Sequence, residues 1–383
     1  MPLTRLKCAM TSKIWVSPPH MTGEELNYIE SSITGNWISS TGPYIDKFED
    51  EIKYYLDNKI EVAALNSGTS AIHLALIQLG IKEGDEVICQ SFTFSASANP
   101  ILYLKAKPIF VDSEEETWNM CPILLEEAIE DRIKKGKKPK AIIAVHLYGM
   151  PYKVNQIHSI ANKYSIPMIE DAAEAFGSSY NKIKCGSFGD FGILSFNGNK
   201  IITTSSGGAL LCKSKSIKKN SIYLATQAKD DAPHYQHSKI GYNYRMSNIL
   251  AGIGLAQIKV LDKRVKARRE IFKYYYKNLN KELNISFSIE NPEMYSNRWM
   301  TTILTKSFEQ REKIRLALEK NNIESKPLWK PLHLQPVFTS TPKYCNGVSV
   351  NLFKKGLCLP SGSNLSKFEL EQIVGIIKNS LFL

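Results

Sequence analysis

The chain has 383 residues, of which 43% are hydrophobic and 22% charged, and its formal net charge is +12. This composition excludes an acidic disordered chain, because enough apolar sequence is present to pack one large or two smaller domains. The positive balance fits an anionic partner, and nucleic acid, a membrane surface or a phosphorylated small molecule would each provide one. The seven cysteines are dispersed, and no apolar run reaches the roughly 18 residues of a membrane span. We therefore expect a cytoplasmic protein with reduced thiols and no membrane partner.

Short apolar runs alternate with helical patterns from about residue 61 onwards. Strands are predicted at residues 86–90, 108–112, 141–145 and 167–171. Helices are predicted between them at residues 69–79, 123–134 and 153–164. The strands are continuous apolar runs rather than alternating ones, which is typical of parallel strands buried on both faces. The chain is therefore predicted to be an α/β protein with a mostly parallel central sheet.

Two segments, residues 131–140 and 259–277, are rich in lysine and arginine. A patch for phosphate or nucleic acid would explain each segment, and so would a solvated surface, which is the interpretation we favour. Within 259–277, Val260, Leu261, Val265 and Ile271 recur at helical intervals. This spacing predicts an amphipathic helix with a solvated basic face, which links a large domain to a smaller one.

The first segment that points to chemistry is LNSGTSAIH at residues 65–73, a turn of small residues that runs into a helix. The free N–H groups and the dipole of a helix start bind phosphate well. Gly68 would let the backbone approach an anion closely, and Thr69 would add a hydroxyl. An ordinary capped helix explains the same letters. Neither GxGxxG nor GxxxxGK[ST] occurs, which argues against the common dinucleotide and nucleoside-triphosphate folds.

The second segment is IEDAAEAFG at residues 169–177, in which Asp171 ends a predicted buried strand. Parallel α/β sheets bind ligands at the carboxyl ends of their strands, and a carboxylate buried there needs a partner. Asp171 is equally suited to be a helix N-cap, so this segment alone leaves both interpretations open.

The third segment is SFNGNKIITTSSGGALL at residues 195–211. Lys200 lies among small, polar and apolar residues rather than within a run of charges. A partly buried lysine of this kind can have a lowered pKa, which covalent catalysis by an amine requires. An isolated surface lysine is the alternative.

Together with SFTFS at 91–95 and GYNYR at 241–245, these segments resemble the sugar-nucleotide aminotransferases of the DegT/DnrJ/EryC1/StrS family over residues 17–383. The resemblance implies the type I fold of aspartate aminotransferase, with pyridoxal 5′-phosphate as the cofactor. It implies a large cofactor-binding domain with an N-terminal arm over residues 15–260 and a smaller C-terminal α+β domain over 261–383. A homodimer with composite active sites is also implied. Residues 1–14 are predicted to be a disordered leader.

The resemblance also implies roles for individual residues. Lys200 would hold the cofactor covalently and move a proton between the substrate and the cofactor, while Asp171 would keep the pyridine nitrogen protonated. The other cofactor contacts implied are Gly68, Thr69 and Ser195 for the phosphate, Phe94 on the ring, Glu174 near the hydroxyl and Asn243 from a second subunit.

The reaction implied is transamination, because relatives that dehydrate the sugar carry histidine where this chain has Lys200. Glutamate would donate the amino group and a nucleotide-linked ketosugar would accept it. The segments 17–21, 296–299, 326–330 and 356–362 resemble the branch that aminates C4 of UDP-2-acetamido-2,6-dideoxy-4-ketohexose. Candidate substrate contacts are Arg245, Arg298 and Lys330 for the diphosphate, with Trp329 or Trp299 packing on the base or sugar.

Several alternatives stay open at this stage. The same chemistry could serve a dTDP- or GDP-4-keto-6-deoxyhexose. A non-catalytic protein, either a regulator that binds the cofactor or a nucleic-acid-binding module, would belong to another class, although no nucleic-acid motif is present. His234 and His237 lie in a polar segment without further ligands at metal-site spacing, so we predict no metal and no nucleic-acid partner.

Overall fold

The computed structural model describes residues 13–279 and 283–382. The predicted leader, residues 1–14, lies outside the described residues except for its last two. Of these, Ile14 is buried and pairs with Ile323 in a short parallel bridge. The packed part of the N-terminal arm therefore begins before residue 15, because Ile14 covers apolar surface of the C-terminal region.

Helices follow one another along the described chain with lengths from 5 to 18 residues. They are α1 (Glu25–Thr34), α2 (Pro43–Tyr55), α3 (Gly68–Gln78), α4 (Asn99–Tyr103), α5 (Pro122–Lys134), α6 (Val154–Lys163), α7 (Lys215–Ala225), α8 (Asn248–Ile258), α9 (Leu261–Asn278), α10 (Phe308–Lys320), α11 (Val348–Lys355) and α12 (Lys367–Phe382). Among the described residues, none of these helices is both long enough and apolar enough to cross a bilayer.

The strands are short, and several have only two residues. They are β1 (Glu61–Leu65), β2 (Glu86–Gln90), β3 (Lys107–Val111), β4 (Ala141–Val145), β5 (Met168–Asp171), β6 (Ser179–Tyr180), β7 (Ile183–Lys184), β8 (Phe191–Ser195), β9 (Gly208–Cys212), β10 (Ser286–Phe287), β11 (Met294–Tyr295), β12 (Thr301–Leu304), β13 (Lys326–Pro327), β14 (Lys343–Tyr344) and β15 (Gly356–Leu359).

The large sheet contains eight strands in the order β1-β9-β8-β5-β4-β2-β3-β14. Every neighbouring pair is parallel except the two that involve β9, which runs against β1 and β8. Successive residues of β4 enter different core clusters, with Ile142 on one face of the sheet and Ile143 on the other. Both faces are therefore covered, and the predicted α/β architecture with a mostly parallel sheet is confirmed.

Helix α9 confirms the helix predicted over 259–277. The prediction that its basic residues lie on a solvated face is wrong for two of them. Arg264 and Arg268 are buried on the same side as Leu261 and Val265, instead of lying on a solvated basic face. Their guanidinium groups donate to backbone carbonyl oxygens, and these hydrogen bonds offset part of the cost of burying the charges.

The C-terminal region forms a smaller antiparallel sheet in the order β10-β12-β15-β13, packed against α10 and α12. Two other strands of the C-terminal region pair with strands outside this smaller sheet. Strand β14 pairs with β3 at the edge of the large sheet, and β11 pairs with β6. The division into 15–260 and 261–383 remains a proposal, with the addition that the second region contributes strands to the first.

Candidate active site

A cavity of about 300 Å³ lies where β4, β5 and β8 end, as expected for a ligand site in a parallel sheet. Its wall contains Val145 from the end of β4, Asp171 from the end of β5 and Ser195 from the end of β8. Most of the residues predicted to bind the cofactor line this one cavity; they are Gly68, Thr69, Phe94, Asp171, Glu174, Ser195 and Lys200.

The start of α3 forms one end of the cavity. Ser67 caps the helix, and its hydroxyl accepts a hydrogen bond from the N–H of Ser70 at 3.0 Å. A Cβ atom on Gly68 would lie 3.2 Å from Cβ of Ser195, so glycine is needed for the loop to pack against the end of β8. Ser206, which was not predicted as a site residue, also lines the cavity. Together these groups form a small polar pocket at a helix N-terminus, which suits a phosphate.

Asp171 is only 4% exposed, and protein groups fix its carboxylate. The hydroxyl of Ser97 donates to Oδ2 at 2.7 Å, and the N–H of Ala173 donates to Oδ1 at 3.1 Å. These donors stabilise a buried negative charge and orient it. Sequence reasoning missed Ser97, although it lies two residues beyond the SFTFS segment that carried the resemblance.

Lys200 and Glu174 face each other across the cavity wall. The Nζ atom of Lys200 lies 3.7 Å from Oε1 of Glu174 and 4.3 Å from the ring centroid of Trp299. The other carboxylate oxygen of Glu174 accepts the N–H of Tyr148 at 2.6 Å. Burial raises the pKa of Glu174, although the positive charge of Lys200 and the N–H of Tyr148 oppose this effect. The site therefore holds a nucleophilic amine next to a carboxyl group that resists ionisation.

A larger outer compartment of about 840 Å³ adjoins this cavity. The two share part of their wall, namely Phe94, Asn199, Trp299 and Trp329. In the wall of the outer compartment, the rings of Tyr148 and Trp329 stack with their centroids 6.0 Å apart. The rest of the wall includes Trp15 to Pro19 of the N-terminal arm and Lys326 and Pro327 of β13. It is completed by Gly198, Met300, Glu324 and Cys358. The inner cavity thus opens into a broad, mainly aromatic and apolar compartment.

Two of the cations predicted for a substrate diphosphate are engaged elsewhere, which corrects that expectation. Arg245 pairs with Glu49 and donates to the carbonyl oxygen of Ala64 at 3.1 Å. Arg298 lies 3.6 Å from Glu290 and is nearly covered. Each therefore has an internal carboxylate near its guanidinium group, which offsets part of the cost of burying the charge. Neither they nor Lys330 line the inner cavity or the outer compartment, whereas Trp329 and Trp299 line both.

Asn243 also lies away from the cavity of its own chain. It forms a short bridge with Thr226, and its carbonyl oxygen accepts from the side chain of Asn66 at 3.0 Å. Its contact with a second subunit remains a prediction.

One cluster has the composition of a metal site, namely His146, Glu170 and Cys185. The carboxylate of Glu170 already accepts Nε2–H of His146 at 2.7 Å and the N–H of Phe188 at 2.7 Å. Although burial raises the pKa of Glu170, the hydrogen bond and charge of His146 and the N–H groups of Gly186 and Gly189 outweigh it, so the pKa is lowered. The cluster is explained as a support for the end of β5. His234 and His237 lie in an exposed loop.

The residues present fit pyridoxal phosphate. The pocket at the start of α3 suits the phosphate, the anchored carboxylate of Asp171 suits the ring nitrogen, and the amine of Lys200 suits the aldehyde. A Cβ atom on Gly208 would lie only 2.4 Å from the backbone nitrogen of Gly68, so glycine keeps that pocket intact. The fold and the site together define a pyridoxal phosphate-dependent enzyme of the type I aminotransferase fold.

More particularly, the chain belongs to the DegT/DnrJ/EryC1/StrS aminotransferase family, whose profile matches residues 19–378. It is 49% identical over 372 residues to EpsN of Bacillus subtilis (strain 168), assigned as a pyridoxal phosphate-dependent aminotransferase, with 96% of each chain covered. It is 40% identical over 366 residues to the GDP-perosamine synthase of Escherichia coli O157:H7, covering 95% of this chain and 96% of that one.

Solved structures agree with this assignment. An aminotransferase of the same family from Brucella abortus superposes with a TM-score of 0.88 at 28% identity, covering 94% of this chain and 95% of the other. The sugar aminotransferase assigned as Spr1654 of Streptococcus pneumoniae, in its PLP form, gives 0.89 at 26% identity, with 97% and 99% covered. The chain is therefore an aminotransferase that uses pyridoxal phosphate, and the predicted family, fold type and cofactor are confirmed.

Proposed function

We propose that this enzyme transfers the amino group of L-glutamate to C4 of UDP-2-acetamido-2,6-dideoxy-4-ketohexose, giving UDP-4-amino-4,6-dideoxy-N-acetylglucosamine. The observation that carries the proposal is that the inner cavity and the outer compartment adjoin each other. The cavity of Lys200 opens directly into an outer compartment of about 840 Å³ with an aromatic wall. An amino acid alone would leave most of that compartment empty, whereas a sugar nucleotide would fill it.

The relatives support the class of substrate. Besides the GDP-perosamine synthases, the chain is 30% identical over 378 residues to the dTDP-4-amino-4,6-dideoxy-D-glucose transaminase of Shigella dysenteriae. These names describe nucleotide-linked sugars, so we extend that substrate class to this enzyme.

The choice of UDP rests on where the segments that resemble the UDP branch are found. All four contribute to the wall of the outer compartment, through Ser17, Trp299, Lys326 and Cys358. Residues that differ between branches of a family would be expected at the substrate, and these segments meet that condition. Lys326 also brings a positive charge. Its Nζ atom lies 3.2 Å from Oε1 of Glu324, but the lysine side chain is 61% exposed, unlike the largely buried side chains of Arg245 and Arg298. Lys326 therefore replaces those two arginines as our candidate partner for the diphosphate.

GDP-4-keto-6-deoxyhexose is a second candidate. It is favoured by the names of two relatives, the GDP-perosamine synthases of Escherichia coli O157:H7 and Vibrio cholerae, which are 40% and 36% identical to this chain.

Each part of the site would have a distinct role in the proposed reaction. When bound, the cofactor supplies an electron sink for negative charge on the substrate carbon. Asp171, fixed by Ser97, would hold the proton on the pyridine nitrogen. The start of α3 would bind the phosphate, and Nζ of Lys200 would carry the proton between the substrate carbon and the cofactor, in opposite directions in the two half-reactions. The aromatic wall, including Trp299, would exclude water from that transfer.

We further propose that the active enzyme is a homodimer in which Asn243 of one chain reaches the phosphate pocket of the other. The support is its position outside its own cavity, on a segment whose neighbours Tyr235 and Ile240 are strongly exposed.

The test offers L-glutamate with UDP-, dTDP- and GDP-linked 4-keto-6-deoxy sugars to the enzyme loaded with pyridoxal phosphate, and follows each aminated product by mass spectrometry. We expect turnover to be fastest with the UDP sugar. Lys200→Ala should abolish turnover with every sugar, whereas Lys313→Ala, which changes an exposed lysine, should leave it unchanged.

Each contrary outcome has a distinct meaning. Fastest turnover with the GDP sugar would replace the UDP assignment by the second candidate. Turnover by Lys200→Ala would overturn the role of that lysine. No product from any of the sugars would overturn the proposed reaction, and salt-sensitive DNA binding by such an inactive protein would favour the nucleic-acid alternative.

A further inference from the structure

Four segments of the chain meet at the residue that precedes Lys200. The carbonyl oxygen of Asn199 accepts the hydroxyl of Ser17 at 2.7 Å and the indole N–H of Trp299 at 2.7 Å. Arg268 donates Nη2–H to the same Ser17 hydroxyl at 3.0 Å and Nη1–H to the carbonyl oxygen of Trp299. These contacts close a ring of hydrogen bonds through Ser17, Asn199, Trp299 and Arg268, which we call the Asn199 ring.

The ring joins parts that are far apart in sequence. Ser17 belongs to the N-terminal arm, Arg268 to α9, and Trp299 directly precedes the strand region of β12. Asn199 lies in the turn after β8, where the N–H of Lys200 donates to the carbonyl oxygen of Asn197 at 3.0 Å. The backbone next to Lys200 is therefore fixed by the arm and by the C-terminal region rather than by its own neighbours alone.

Arg268 is the member of the ring for which a contribution to folding stability is the least satisfactory explanation. It is 1% exposed, and no carboxylate lies within ion-pair distance of it in residues 13–279 and 283–382. Its Nε has no hydrogen-bond partner among the described atoms. Burial, together with repulsion from Arg264, lowers the pKa of Arg268. A buried charge with only neutral acceptors stabilises a fold poorly, so a role in defining geometry is the better explanation.

The geometry it defines is that of the reactive amine. Trp299, whose carbonyl oxygen Arg268 holds, also places its ring 4.3 Å from Nζ of Lys200. The same tryptophan thus contacts both the backbone before Lys200 and the end of its side chain. Movement of Trp299 or Ser17 would shift the amine relative to Asp171 and the start of α3.

We propose that Arg268 is a positioning residue for Lys200, acting through Ser17 and Trp299 on the carbonyl group of Asn199. The inference rests on the proposed role of Lys200 as the amine that carries the cofactor. It adds that the N-terminal arm and the C-terminal region control where that amine lies.

The test compares Arg268→Met with Arg264→Met. Arg264 is the matched control because it lies one turn earlier on α9, is also buried, and donates to His20 and Met21 of the arm without touching the ring. Three quantities are measured: kcat and KM for the sugar nucleotide, the pH midpoint of the absorbance change of bound pyridoxal phosphate, and the melting temperature.

We expect Arg268→Met to lower kcat by about 10- to 100-fold, the size of effect that a small misplacement of a reacting group produces. The pH midpoint should shift with it, because the surroundings of the Lys200 amine change, while KM should change little. Arg264→Met should lower the melting temperature but leave kcat and the pH midpoint at their wild-type values.

If Arg268→Met does not fold, Ser17→Ala removes the two bonds that the Ser17 hydroxyl makes in the ring, and Trp299→Phe removes the bond of the indole N–H. Both variants should shift the pH midpoint in the same direction. Wild-type kcat and midpoint in Arg268→Met, or equal losses in Arg264→Met, would overturn the positioning role. Lys200→Ala separates the two proposals: if it is inactive while Arg268→Met behaves as wild type, only the positioning role fails.

Discussion

At the scale of single residues, the carboxyl group of Glu174 is in an unusual electrostatic position. It is buried and lies 3.7 Å from the Lys200 amine, yet its pKa is raised. Desolvation outweighs the attraction of the lysine, because little water reaches the carboxyl group and only one of its oxygens has a short hydrogen bond. The folded protein therefore holds a proton on Glu174 more tightly than the unfolded chain does.

This difference predicts a pH dependence of stability. Since the pKa in the folded state lies above the ordinary 4.5, ionisation of Glu174 should cost stability progressively as the pH rises above about 4.5. Glu174→Gln keeps an acceptor for the N–H of Tyr148 but does not titrate. We expect the cofactor-free wild type to lose melting temperature relative to Glu174→Gln between pH 4.5 and pH 7.

The control for this measurement is Glu174→Ala. This variant leaves the buried N–H of Tyr148 without an acceptor. Relative to Glu174→Gln, its folded state should be destabilised by about 1–3 kcal/mol at every pH. A difference between wild type and Glu174→Gln that does not vary with pH would contradict the explanation.

The sequence predicted the residues that line the inner cavity better than the residues that hold them in place. Lys200 and Asp171 stand in short segments that resemble a known family, so their type and spacing sufficed. Ser97 and Arg268 act through contacts between segments up to 251 residues apart, which no local pattern contains. One signal was available: Arg264 and Arg268 fall at the spacing of Leu261 and Val265, which places them on the apolar side of α9.

At the scale of elements, the start of α3 packs directly over the first residue of β9. Gly208 pairs with Leu65 of β1 and with Ser195 of β8. A Cβ atom there would lie 2.3 Å from the carbonyl carbon of Ser67 and 2.4 Å from the nitrogen of Gly68. Both of these are backbone atoms, so they could yield only by moving the helix.

Gly208→Ala should therefore displace the N–H groups at the start of α3 and weaken cofactor binding. Overpacking of this kind costs about 1–3 kcal/mol, which corresponds to a loss of affinity of about 5- to 150-fold where the cost falls on the cofactor-bound state. Titration of the cofactor-free protein with pyridoxal phosphate, followed by absorbance, would measure it. Gly375→Ala is the control because nothing lies within 4 Å of its Cβ position. Unchanged affinity in Gly208→Ala would show that α3 tolerates the shift.

Predictions of elements succeeded where the pattern was long and apolar. The strand at 141–145 is observed at Ala141–Val145, where all five apolar residues are buried, as is typical of a short strand covered on both faces. Strand β14 was not predicted, since Lys343–Tyr344 has two residues and no apolar pattern, and it is defined as a strand by its pairing with β3. The antiparallel direction of β9 relative to β1 and β8 likewise could not be predicted from its amino-acid composition.

At the scale of the whole molecule, the two regions of the chain are interleaved. Beyond β14, the loop that follows it and the first turn of α11 supply the N–H groups of Gly347 and Ser349 to the buried carboxylate of Asp112, at 3.0 and 3.1 Å. The N-terminal arm in turn packs on the C-terminal sheet through Ile14 and Val16. Neither region has a complete set of partners for its buried polar groups without the other.

We therefore expect the full chain to unfold in a single calorimetric transition, and a fragment of residues 13–260 to lack fixed tertiary structure. The fragment would expose the edge of β3 and leave Asp112 without these donors. Calorimetry of the full chain and a two-dimensional NMR spectrum of the fragment would check this. Two separated transitions, or a dispersed spectrum from the fragment, would show that the regions fold independently.

The pairing of β14 with β3 has a consequence for how the protein is made. The paired residues of the two strands are 233 positions apart in the sequence, with Lys343 opposite Phe110. While the ribosome is still synthesising the C-terminal third, β3 is an uncovered parallel edge, the kind of surface that recruits strands from other nascent chains. The sheet that carries Asp171 can be finished only after residue 344 has left the exit tunnel. Slow or stalled translation of that last stretch should therefore lower the yield of active enzyme more than stalling within residues 61–145.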